Sequence, residues 1–356
     1  MRKHSLKRLV LVAVAAFAGL AGNAWAGDTT ITGRVFADFT DKENQDKFTD
    51  VKSSDSGVGI DVKRFYVGIN HSFDSVWSAS FVSDIGDQGA RRYDVFVKNA
   101  YIQAKFAPEV TFRLGAAGSP WVPYVEEQYG FRYVEPVPAE RAGFANSADW
   151  GVHFLGKTAG DTNFNYQVSV VNGRGYSNPT RSKGVDVEGR LGFQPFAGLQ
   201  LGVGGLTGKR GLETDAVPTQ HTASRFDLLA AYTNAGFRIG GEYFTADNYN
   251  TVTNPLSDKS DGFGTWVSFA FNPVTSVFGR YDEVKPSKDL KPNLKDTYFN
   301  VGVQFKINAE FAASLAYKYE KVEGGTFAGS NGTVGSTNAG SKGEYNEFGI
   351  WTIYNF

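Results

Sequence analysis

The chain has 356 residues, with 36 basic and 37 acidic side chains and no cysteine. The near-balanced charge excludes the basic surplus of a nucleic-acid-binding protein, so no nucleic-acid partner is expected. The missing cysteine excludes a disulfide framework and any thiol chemistry, and leaves an oxidising compartment open to the chain.

In chain order, the first element is an export signal. Arg2, Lys3, Lys7 and Arg8 form a basic start, residues 9–20 are almost wholly apolar, and Ala24-Trp25-Ala26 is a small-x-small cleavage site. The apolar run is shorter than the ~20 residues of a spanning helix. Residues 1–26 are therefore read as a signal peptide and 27–356 as the mature chain. The signal carries four basic residues and no acids, so the mature chain holds 32 basic against 37 acidic side chains, a net −5.

After Gly27 no apolar run could span a membrane as a helix. Apolar residues instead come singly at every second position, as a wall between lipid and water requires. About sixteen strands are predicted, near 30–39, 58–71, 76–85, 93–105, 110–117, 149–157, 163–172, 184–194, 199–207, 224–234, 237–246, 262–271, 274–282, 296–306, 311–320 and 344–356. In Thr111–Gly115, Phe112 and Leu114 face one way and Arg113 the other. Short turns at 72–75, 106–109, 160–162, 194–198, 234–236, 272–273 and 307–310 alternate with long polar loops at 40–56, 208–223, 247–261, 283–295 and 321–342. That wiring predicts an all-β fold: a transmembrane antiparallel β-barrel of about 16 strands with long loops outside, short turns in the periplasm and both termini at the turn end. A soluble sandwich would have to bury Asp61 or Arg64, Arg113, Glu188, Arg190, Arg238, Lys318 and Glu320 in a dry core, at prohibitive cost. A watery lumen accepts them.

The connection 118–148 stands apart. It carries four prolines and several aromatics, and a loop this stiff and apolar packs against something. It folds either into the barrel as a constriction or outward as a lid or subunit contact. For the inward case, Arg113, Arg132 and Arg141 are assigned to the basic side of a constriction and Glu126 and Glu127 to the acidic side; opposed charges of this kind set ion preference in pores. Arg64, Arg190, Arg238 and Lys318 are further lumen-facing candidates. Lys98 lies beside a consistent inner face of Asn99, Tyr101, Gln103 and Lys105 but on the wrong parity, and is left out. Trp121, Tyr124, Tyr129, Phe131 and Tyr133 could line a path for sugars or simply pack the loop.

The last strand ends in alternating Phe348, Ile350, Thr352, Tyr354 and Phe356. It resembles the C-terminal signature of bacterial outer-membrane barrels, which the barrel assembly machinery reads; Phe356 and Tyr354 would be that signal. A family resemblance also runs through most of the mature chain. Val62-Lys63-Arg64-Phe65-Tyr66-Val67-Gly68, Lys98-Asn99-Ala100-Tyr101-Ile102-Gln103-Ala104-Lys105, the stretch 148–154 (ADWGVHF), 168–173 (VSVVNG) and 187–193 (VEGRLGF) resemble the phosphate-selective porin O/P family. The resemblance implies a sixteen-stranded porin of a Gram-negative outer membrane, a homotrimer embedded in outer-membrane lipid. The loop after strand five would dip inward, and anions such as phosphate would be among the ions and small hydrophilic solutes passed. A general or sugar-permeable porin is the other reading.

An enzyme is the remote reading. After the signal only His71, His153 and His221 remain, no G-x-S-x-G phrase occurs, and three scattered histidines make a poor metal set. No cofactor and no metal are expected. A plugged transporter needs a folded domain ahead of the barrel, and here the first strand begins within a few residues of Gly27.

Overall fold

The computed structural model describes residues 27–87, 93–158, 163–338 and 340–356. The signal-peptide expectation for 1–26 lies outside these residues. Sixteen antiparallel strands close into a barrel: β1 (Thr29–Asp46), β2 (Gly57–Ser72), β3 (Trp77–Asp87), β4 (Tyr93–Ala107), β5 (Val110–Gly118), β6 (Ala148–Lys157), β7 (Asn163–Val171), β8 (Asp186–Gln194), β9 (Leu199–Gly208), β10 (Ala223–Thr233), β11 (Phe237–Asp247), β12 (Lys259–Ala270), β13 (Thr275–Lys285), β14 (Lys295–Lys306), β15 (Phe311–Glu323) and β16 (Lys342–Asn355). Each pairs with its sequence neighbours, and β1 also pairs with β16, from Arg34 opposite Asn355 to Asp46 opposite Gly343. Closure leaves no open edge, the condition for strands in a membrane.

The alternation is inverted relative to a soluble protein. Along β15 the exposed position is Leu315, while Ser314, Lys318 and Glu320 are buried inside. Exposed Tyr243, Phe263 and Tyr281 lie toward the loop end, and Phe269, Phe271, Phe305, Tyr354 and Phe356 toward the turn end. Two aromatic belts flanking an apolar band are the mark of a barrel wall in lipid.

Local chemistry fixes the turns. Asp74, Asn234, Asn272 and Asn308 each use Oδ1 to accept two backbone N–H groups two and three residues on. These Asx turns satisfy the donors that a tight connection strands. The loop end differs from expectation in two places. β1 runs to Asp46, well past residue 39, because its charged stem stays paired with β16 and, through Lys42, with β2. Read from polarity alone that stem looks like loop. The expected loop 321–342 contains a hairpin, β15a (Thr326–Gly329) with β15b (Gly332–Gly335).

Candidate functional site: a loop folded against one wall of the lumen

Residues 119–147 leave β5 and turn into the barrel. Two short helices form, α1 (Val122–Tyr129) and α2 (Pro138–Arg141), each with a proline in its first turn, where the lost N–H costs nothing. Trp121, Val122, Val125, Tyr129, Phe131, Val137 and Phe144 are all buried, in one cluster with Leu229, Phe244, Trp266 and Phe278 of the wall. Phe131 stacks on Phe278 at 4.2 Å, and Trp121 Nε1 donates to Glu242 Oε1 at 2.5 Å. At about 1.5–3 kcal/mol per fully buried large side chain, this apolar set is what drives the loop inward.

The wall under the loop, β8 to β15, answers its polar groups one by one. Arg190 donates to the Pro120 carbonyl at 2.8 Å and lies over the Tyr124 ring. Arg238 donates to the Gln128 and Glu127 carbonyls, where α1 ends at Gly130 with φ +80°. A guanidinium there meets both the free carbonyls and the negative end of the helix dipole. Arg225 donates to the Phe144 carbonyl at 2.7 Å and pairs with Glu188 and Asp227. Lys318 sits between Glu135 (3.2 Å) and Glu347 (3.0 Å), over Trp351.

This geometry redistributes the residues named from the sequence. Arg141 was expected on the basic side of a constriction. Its side chain is 0% exposed, held by Asp282 (2.8 Å), Asp296 (2.5 Å) and Glu320 (3.5 Å), so it anchors the loop and meets no water. Burial works against its charge, and the three carboxylates outweigh that and raise its pKa. Arg132 and Glu126 were expected on opposing sides. They form a direct pair at 2.6 Å, with Glu140 at 3.3 Å on the same guanidinium. Glu127 is separated from Glu126: it lines a different cavity, toward the turn end, with Tyr124, Lys157 and Arg190. Arg190, Arg238 and Lys318 do point inward, as their parity requires, but they bond to the loop or lie beneath it. Trp121 and Tyr129 are buried in the packing, while Tyr124, Phe131 and Tyr133, also mostly buried, each line the edge of a cavity.

The opposite wall, β1 to β5, is covered only in part: Phe36 packs on Tyr133 of the loop, and Tyr176 donates to Asp84 and lies beneath Lys98. Here two β-bulges matter. In β2 the register shifts beside Lys63, since Phe36 faces Arg64 and Ala37 faces Val62. Lys63 is the extra residue, so Asp61, Lys63 and Arg64 all turn inward. In β4, Val82 faces Asn99 and Ser83 faces Val97, so Lys98 is the extra residue and joins Asn99 on the inner face. Strict period-2 reading put Lys98 on the wrong side; a bulge leaves no signature in alternation except the parity conflict itself.

Lys63 reaches Asp38 at 3.2 Å and Arg64 reaches Asp84 at 3.2 Å. The Lys63 and Arg64 side chains are 37% and 28% exposed, whereas those of Asp38 and Asp84 are 0%. Lys98 contacts the Tyr66 hydroxyl at 3.3 Å, and Arg113 contacts Gln103 Oε1 at 2.8 Å and the Tyr101 ring. Neither has an ion-pair partner among the described residues. Lys98 lies near enough to Glu126 to stabilise its charge in part, against the larger effect of burial, and Tyr66 lies near enough to Arg132 to favour the guanidinium's charge, so this wall faces the loop across the passage. A cavity of about 400 Å³ opens between them, lined by Lys63, Arg64, Arg132, Glu135 and the tip of the last hairpin.

Other chemistry is sparse. His153 Nδ1 contacts Ser169 Oγ at 2.8 Å, but both side chains are fully buried and reach no solute. No group of three metal-binding side chains occurs among the described residues. At the seam Phe356 exchanges backbone hydrogen bonds with Gly33, and its ring stacks on Tyr354.

No family model matches the chain, and no curated protein matches it. Solved structures do. The anion-selective porin from Comamonas acidovorans is 13% identical, covering 93% of this chain and 100% of that one at a TM-score of 0.65. The outer-membrane channel DcaP of Acinetobacter baumannii is 12% identical, covering 93% and 97%, at 0.63. In-vitro folded OmpT, an outer membrane protein of Vibrio cholerae, is 16% identical, covering 94% and 99%, at 0.62. At these identities the likeness is one of fold: this chain has the barrel of Gram-negative outer-membrane proteins.

Proposed function

We propose that the protein is an outer-membrane porin, a passive water-filled channel for ions and small hydrophilic solutes, with a preference for anions. The channel reading rests on the breadth of a sixteen-stranded barrel, whose interior is too wide for side chains to fill, and on the porin and channel folds it resembles. The anion preference rests on one observation: on the wall facing the loop Lys63 and Arg64 are in contact with water while Asp38 and Asp84 lie behind them, Asp61 being the one acid of this set that shares their exposure. An ion in the passage meets Lys63, Arg64, Lys98 and Arg113 before it meets Asp38 or Asp84. Charge in a narrow, low-dielectric passage acts on ions more strongly than the same charge in open water. The resemblance to the phosphate-selective porin O/P family, and the fold shared with an anion-selective porin, support the same reading. Trimeric assembly and recognition of Phe356 and Tyr354 by the assembly machinery belong to it as well.

The competing observation is on the loop, where Glu126 and Glu140 share one Arg132. It favours a general channel without anion preference. Reversal potential in planar bilayers across a potassium chloride gradient decides, at low salt where screening is weak. The expected sign is that of chloride-preferring current; zero or the opposite sign removes the anion preference. Liposomes containing the protein should also swell in small sugars, and absence of swelling together with absence of conductance removes the channel.

A further inference from the structure

The hairpin of β15a and β15b has contacts that a loop lying outside the barrel would lack. Phe327 and Val334 are buried in the apolar cluster that includes Leu294, Val322 and Tyr345. The tip reaches the folded loop. The Ser330 N–H donates to the Arg141 carbonyl at 3.0 Å, the Ser330 hydroxyl donates to Glu135, and Asn331 Nδ2 donates to Glu320 Oε2 at 2.7 Å. On its other side Asn44 of β1 donates to the Thr333 carbonyl at 2.9 Å. The hairpin thus spans the loop-end mouth from β1 to the constriction loop, and Gly329–Gly332 line the cavity beside Lys63, Arg64 and Arg132. Its stem closes where no side chain fits: Gly335 has φ +122°, and a Cβ there would lie 2.2 Å from the Gly325 carbonyl oxygen.

We propose that this hairpin is a second constricting element, which sets the size limit of the mouth while the loop 119–147 and the wall facing it set the charge. The inference rests on the channel reading but not on its anion preference. The division of labour follows from composition. The stretch 326–335, TFAGSNGTVG, carries no charged residue, and the two carboxylates it caps, Glu135 and Glu320, keep Lys318 and Arg141 as partners, so its removal changes the width of the mouth and adds no unpaired charge to it.

The test uses the full-length protein with 326–335 replaced by a short Gly-Ser link, together with Ser330→Ala/Asn331→Ala, which keeps the hairpin but removes its side-chain latch. Heat-shifted migration on gels checks folding. The expected result for the link variant is higher single-channel conductance, swelling of liposomes in larger neutral sugars, and an unshifted reversal potential. For the latch variant it is flicker between the parent level and a higher one. A folded link variant with parental conductance and sugar cut-off overturns the proposal. So does one whose reversal potential moves with its conductance, because the hairpin would then act only by holding the loop. If the link variant does not fold, a steady parental level in the latch variant overturns it. A parent protein with no conductance sinks the channel reading itself, a separate failure.

Discussion

The two halves of the inner wall hold similar residues and use them differently. Under the loop, Arg141, Arg225 and Arg280 are buried with Asp282, Asp296, Glu188 and Asp227, every charge within reach of an opposite one. Across the lumen, Lys63 and Arg64 sit over their acids with one side in water, and Lys98 and Arg113 contact only neutral groups among the described residues. Both halves are built on strand alternation, broken on the open side by the bulges at Lys63 and Lys98. The difference lies in what covers them. A charge under the loop must be paired or hydrogen-bonded, as Arg190 and Arg238 are by loop carbonyls and Glu242 is by Trp121 and the Ala139 N–H, since an unpaired buried ion costs several kcal/mol; a charge on the open wall remains free to act on a passing ion.

The largest effect should come from breaking the covered side. Arg141→Ala leaves Asp282, Asp296 and Glu320 buried without their shared cation. Truncating one partner of a buried pair typically costs about 3–5 kcal/mol, more than a short loop can absorb in place. The expected outcome is a loop that leaves the wall, seen as raised and noisy single-channel conductance and a lower temperature for the heat-induced gel shift. A quiet channel at the parent level would mean that the apolar packing holds the loop without its anchor.

The next effect sharpens the contrast itself. Lys98→Gln with Arg113→Gln removes two open-wall charges and strands no carboxylate among the described residues. Reversal potential should move toward cations while conductance and gel shift stay near the parent's. Arg238→Gln, on the covered side, removes the same kind of charge from a group bonded to α1 and should leave reversal potential in place. Equal shifts in both variants would dissolve the distinction between the walls.

The smallest effect is a pH response. Burial pushes the Glu126 carboxyl above its ordinary value of 4.5, against the pull of Arg132. Glu126 therefore takes up its proton at a pH where an ordinary glutamate is still charged. As pH falls from neutral through that range, the loop face loses negative charge, and reversal potential should drift further toward anions. Glu126→Gln should remove that drift and start from the more anion-preferring value. An unchanged drift in the variant would assign it to other groups.

The strands were legible in the sequence because a wall between lipid and water needs apolar residues at every second position, and the alternation of short and long connections then set the wiring. The character of the 119–147 loop was legible too, since so many prolines and aromatics must pack. Local pattern could not say which charges the loop would cover. Arg141 and Arg132 look alike in sequence, yet one lies in a carboxylate cage built from β13, β14 and β15 and the other on the loop's open face. Nor could it place Lys98, because a bulge flips parity at a single residue. The hairpin at 326–335 read as a polar outer loop, for beside its flanking strands β15 and β16 its contacts come from β1 and the folded loop, far away in the chain. Alternation along a strand determines which side of the wall a residue faces. Which of the inward residues meet water is decided only when the chain folds back over them, because burial belongs to the assembled lumen and not to any stretch of sequence.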